Sequence, residues 1–130
     1  MFPKPTPQII LTHFDWSVAR LKEAIENEDT DYYQGAALHR FRLTYEVALK
    51  AIRAFAKAQG HTCTTDESCF QWAKKKHWLE KNMDWNAMLA HYERVKNQPK
   101  AKEADGIYIE LKTHYILLNH LNECMKLVEE

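Results

Sequence analysis

Ile107, Leu111, His114, Leu118, Leu121, Met125 and Val128 follow one another at alternating steps of four and three residues. Such spacing returns a side chain to the same face only on a helix of 3.6 residues per turn, so this segment buries one stripe as a helix. Gly106 sits near its start at a cost of about 1 kcal/mol against alanine. The same period recurs upstream in Leu38, Phe41, Tyr45, Ala48, Ile52 and Phe55, and again in Ile10, Phe14, Val18, Leu21 and Ile25. No segment alternates apolar and polar at every second residue, so nothing reads as a strand.

The punctuation between these stripes sets the element order. Pro3, Pro5 and Pro7 block helical hydrogen bonding and make Met1 to Pro7 an extended lead-in, with a first helix over about Gln8 to Glu28. Asn27 to Asp31 interrupts it, and Thr30 or Asp31 can cap the second helix, which Gly60 stops. After the loop His61 to Thr65, Thr64 and Glu67 have capping-box spacing for a short third helix reaching about His77. Asn82 or Asp84 starts a fourth, with Trp85, Met88, Leu89, Tyr92 and Val95 on one face. Pro99 ends or restarts the chain before the last helix, which runs to Glu130. The fold expected is all-α: one domain over residues 1–130, an up-and-down four-helix bundle with one extra short helix.

Composition narrows the chemistry. Eighteen basic residues balance eighteen acidic ones in 130 residues, which removes any global attraction to nucleic acid or to an anionic membrane. There is no apolar run long enough to span a bilayer and no secretory start, so a cytoplasmic protein is expected. Cys63, Cys69 and Cys124 have no zinc spacing, and their odd number reads as reduced thiols without chemistry. The seven histidines form no pair three or four apart on one helix, and no Glu-x-x-His occurs, so neither a metal nor another cofactor is expected. Phosphate loops and nucleophile elbows are absent as well.

Two segments carry a resemblance. Leu38-His39-Arg40-Phe41-Arg42-Leu43-Thr44-Tyr45-Glu46-Val47-Ala48-Leu49-Lys50, ending in Gly60, is similar to the second helix of the substrate-binding partners of minimal nucleotidyltransferases, within the HEPN group of helical domains. Trp85, Met88 and Leu89, followed by Ala104, Ile107 and Tyr108, resemble that family's Trp-x-x-Met-Leu and the opening of its last helix. The resemblance covers about two thirds of the chain. It implies a homodimer that binds a small nucleotidyltransferase encoded nearby, in a toxin–antitoxin-like pair, together with a nucleotide or RNA.

Between those landmarks the family reads Arg-Asn, three residues, His, and a Tyr two later. Here the same register gives Tyr92-Glu93, then Asn97 and Pro99, while Arg42 stands where the family has an acid. In HEPN ribonucleases the resemblance assigns phosphate charge to the Arg and a proton transfer at the ribose 2′-hydroxyl to the His. Tyr92 and Asn97 supply neither a cation nor a group titrating near neutral pH. The chain therefore reads as a non-catalytic binding partner, with Tyr45, Glu46, Lys50, Trp85, Tyr92, Glu93 and Asn97 as binding residues. Two alternatives stay open: a weak metal-independent ribonuclease using a histidine such as His91, and a bundle whose only role is assembly. Residue by residue, Tyr92 reads as a core-edge aromatic, Asn97 as a cap or a site residue, and Glu46–Lys50 as an exposed i,i+4 ion pair. Trp16, Trp72 and Trp78 are expected at a subunit contact.

Overall fold

The computed structural model describes residues 7–27, 31–97 and 101–128; the lead-in before Pro7, the Thr30 cap, Pro99 and the end at Glu130 lie outside the described residues. Five helices follow in order: α1 Pro7–Glu26, α2 Asp31–Ala58, α3 Asp66–Lys75, α4 Trp85–Lys96 and α5 Ala101–Lys126. Among the described residues there is no strand. Pro7 opens α1 rather than preceding it, a place where a missing N–H costs nothing.

The long helices α1, α2 and α5 pack on one another, and the shorter α3 and α4 close over α2, with α4 also against α5. The core is what the stripes foretell: Phe14, Leu21, Phe41, Tyr45, Ile52, Leu111, Leu118 and Leu121 are each fully enclosed. Burying a side chain of this size contributes about 1.5–3 kcal/mol. Polar stitches fix the helix pairs. The buried Thr44 hydroxyl donates to the carbonyls of Ser17 at 3.1 Å and Arg40 at 2.7 Å, binding α2 to α1. Asp15 on α1 takes the Lys126 ammonium at 2.7 Å and the Asn122 amide at 2.8 Å, tying α1 to the end of α5. The Lys126 and Asn122 hydrogen bonds hold the Asp15 carboxyl below its ordinary range.

The helix ends show where local chemistry decides. Asp84 caps α4 by accepting the Ala87 N–H at 2.9 Å. Gly60 ends the second helix with φ of 78°, in the left-handed region that a Cβ disfavours. Three expectations need correction. The capping box of α3 is built by Thr65 and Ser68, not Thr64 and Glu67, because the Ser68 hydroxyl at N3 accepts the Thr65 N–H at 3.0 Å while Thr65 Oγ1 accepts the Ser68 N–H at 3.1 Å. This places the start of α3 one residue later, and the helix stops at Lys75 before His77, whose φ is 64°. Cys63 and Cys69 are not free thiols: they form a disulfide, since the turn entering α3 folds their Cα atoms to 5.1 Å, leaving Cys124 as the free cysteine. Trp72 and Trp78 are buried, not surface anchors. They meet edge to face at 5.2 Å, and Trp78 stands edge-on to Phe55 at 5.6 Å, so crowding in a short segment reflects a satellite of the core. Trp16 keeps its exposure, at 58%.

Candidate functional site

Two turns of α2 organise the candidate site. Arg42, Tyr45, Glu46 and Lys50 project from successive turns, and the three- and four-residue steps divide them between an inner and an outer side. On the inner side Tyr45 is fully buried and stacks on Tyr92 of α4, ring centroids 4.0 Å apart and planes 14° from parallel. Each ring keeps its polar end satisfied. The Tyr45 hydroxyl donates to Asp66 at the start of α3 at 3.0 Å, and the Tyr92 hydroxyl donates to Glu46 at 2.8 Å.

Both acids have a second partner. Arg42 donates to Glu46 at 3.2 Å, and Arg53 pairs with Asp66 at 3.6 Å. Glu46 thus takes Arg42 in place of Lys50 as its helical ion partner, a correction to the expected pair; Lys50 makes no ion pair among the described residues. Burial, with the Asp66 charge and hydrogen bond next, raises the Tyr45 hydroxyl far above the ordinary phenol value. Burial and then the Glu46 hydrogen bond push Tyr92 up to about 12. Neither phenol can lose a proton near neutral pH, so each acts as a fixed donor to a carboxylate.

On the outer side a groove of about 580 Å³ runs between α1 and α2, lined by Thr12, His13, Trp16, Ser17, Leu43, Glu46, Val47 and Lys50. It offers Trp16 and Leu43 as exposed apolar surface, with Lys50 as a cation and Glu46 shared with the inner tyrosine chain. The guanidinium groups of Arg20 and Arg40 lie 5.8 Å and 6.0 Å from the Trp16 ring, which puts cationic charge on this aromatic edge.

The expected site residues are therefore distributed. Tyr45, Glu46 and Tyr92 come together, and Lys50 lies one turn beyond on the groove. Trp85 opens α4 and stacks on Phe70 at 5.7 Å, away from the groove. Glu93 is exposed, and its carbonyl accepts the Asn97 side-chain amide at 2.9 Å. Asn97 is the C-cap of α4 and is exposed.

Sequence reasoning did not pair His91 with His114. Their rings approach at 2.7 Å, Nδ1 to Nε2, and His114 stacks on Phe41 at 5.4 Å. Burial, and then the neighbouring His91, lower His114 to about 4. His114 was recognisable as a core-stripe position of α5, but nothing in either helix alone signals a partner 23 residues away. Asp66 was missed too, because its contact with Tyr45 depends on how α3 closes over α2. No group of three or more His, Cys, Asp or Glu suited to a metal ion occurs among the described residues, and none of their helices is long and apolar enough to cross a membrane.

No family model and no curated protein matches the chain. A crystal structure of a protein from Thermus thermophilus superposes with a TM-score of 0.79 at 20% identity, covering 87% of this chain and 98% of that one. At that identity the likeness establishes the shared helical fold.

Proposed function

We propose that this chain is a non-catalytic, HEPN-like helical partner of a minimal nucleotidyltransferase. In this reading it is a cytoplasmic up-and-down bundle and a homodimer, one half of a toxin–antitoxin-like pair, and it holds the nucleotidyltransferase together with a nucleotide or RNA substrate. The groove between α1 and α2 is the docking surface: Trp16 and Leu43 provide apolar area, and Lys50 meets an anionic group. Trp85 at the start of α4, and Glu93 and Asn97 at its end, lie off this groove as shape-giving residues.

The observation that carries the reading is the engagement of Glu46 by both Arg42 and Tyr92. In the resembled ribonucleases this region needs a cation free to meet phosphate and an imidazole free to move a proton. Here the position-42 cation is spent on Glu46, position 92 is a phenol that holds its proton to about 12, and position 97 is a helix cap. This reading places the ligand in the groove on the other side of Glu46. Co-purification with the nucleotidyltransferase encoded beside this chain tests the reading; a complex that survives gel filtration supports it, and separate elution at micromolar concentrations refutes it.

One observation favours a second reading. The part-exposed His91 imidazole, held at 2.7 Å by the buried His114, is a histidine an acid–base ribonuclease could use, with His114 only positioning it. RNA cleavage by the purified protein without metal, abolished in His91→Ala, would replace the binding role with this one.

A further inference from the structure

The outer face of α5 carries a feature that the groove does not use. Ile109, Ile116 and, one residue past the helix end, Leu127 are 74%, 60% and 81% exposed. At about 100° per residue they fall within about 20° of a single line, opposite the buried stripe of Ile107, Leu111, Leu118 and Met125. The three are spread over about 27 Å of one face, and His120, within about 20° of the same line and 3.9 Å from Glu80, lies between Ile116 and Leu127.

The flanking charges say what covers it. Lys112 and Glu123 lie on the same edge of the stripe, eleven residues apart. Lys112 makes no ion pair among the described residues, and Glu123 has only the exposed i,i+3 contact with Lys126 at 3.3 Å. The midpoint between Lys112 and Glu123 nearly coincides with the midpoint between Ile109 and Leu127. A two-fold axis there, crossing α5 at residues 117–118, sets Lys112 of one copy against Glu123 of the other and Ile109 against Leu127, both twice. A parallel pairing, about an axis along the helices, would instead carry the charged edges of the two copies to opposite sides of the contact, so only the antiparallel arrangement brings Lys112 to Glu123.

We propose that this stripe is the contact between two copies of the chain, packed antiparallel through α5. The proposal rests on the homodimer in the reading above and gives it a face, leaving the α1–α2 groove open on each copy. One helix pair lies at the low end of the about 1,200–2,000 Å² typical of specific interfaces, so the dimer should dissociate in the micromolar range.

Sedimentation velocity on the full chain, from about 1 to 200 µM, tests it. Wild type should shift from monomer to dimer across that range. Ile116→Glu should raise the dissociation constant at least about tenfold, with an unchanged far-ultraviolet helical spectrum. Lys112→Glu should weaken the dimer, and Lys112→Glu combined with Glu123→Lys should restore it. A dimer indifferent to Ile116→Glu removes this face while leaving the homodimer itself standing. A monomer at every concentration removes both, and a double variant no tighter than Lys112→Glu removes the antiparallel register.

Discussion

His114 gives the most quantitative handle on the bundle. It is 2% exposed, stacked on Phe41 and hydrogen-bonded to His91, and its proton affinity in the fold corresponds to about 4 against 6.5 for the free side chain. The unfolded chain therefore binds a proton that the native state refuses between those values. Above pH 6.5 both states carry a neutral ring and the full stability is present; as the pH falls below 6.5 and towards 4, stability is lost. At about 1.36 kcal/mol for each tenfold difference in proton affinity, the whole gap amounts to ~3 kcal/mol, of which about 2 kcal/mol is gone by pH 5. Urea unfolding at pH 7.5 and pH 5.0 measures this. His114→Phe, which keeps a flat ring against Phe41, should lose about 2 kcal/mol less than wild type between the two conditions. Equal losses in the two proteins would mean that the buried imidazole does not resist protonation, and the burial argument would fail.

The other expectations are simpler. Tyr92→Phe removes the donor to Glu46 but leaves Arg42 in place, so chemical denaturation should show a cost of about 1–2 kcal/mol. Reducing the Cys63–Cys69 bond should lower the urea midpoint by an amount worth about 2 kcal/mol, with Cys63→Ser matching the reduced wild type. Asp15→Asn breaks a pair whose members are 53% and 39% exposed, so its cost should stay under about 1 kcal/mol and shrink further in high salt.

What the sequence discloses and what it hides divide along one physical line. The stripes of α1, α2 and α5 were legible because period alone tells which face is inside, and Phe14, Phe41, Tyr45, Ile52 and Leu118 are all enclosed. The Asp84 and Gly60 boundaries were legible because each acts within its own turn. Contacts that need two elements were not. Tyr45 and Tyr92 each looked like a core aromatic, and their stacking on one another required α4 to settle on α2. Trp72 and Trp78 shield each other, which no count of tryptophans in a short segment reveals. An odd number of cysteines pointed away from disulfides, yet the closeness of Cys63 and Cys69 comes from a turn whose cap was placed one residue too early. Glu46 is the instructive intermediate: its position was read from the resemblance, while its partners, Arg42 and Tyr92, are a product of packing.

Titration calorimetry with any minimal nucleotidyltransferase found encoded beside this chain tests the proposed binding role most directly. Wild type should bind, and Leu43→Glu in the α1–α2 groove should lose at least about tenfold in affinity, while His91→Ala binds as wild type does. No heat of binding with wild type, or an affinity that Leu43→Glu leaves untouched, would contradict the assignment of the groove as the docking surface.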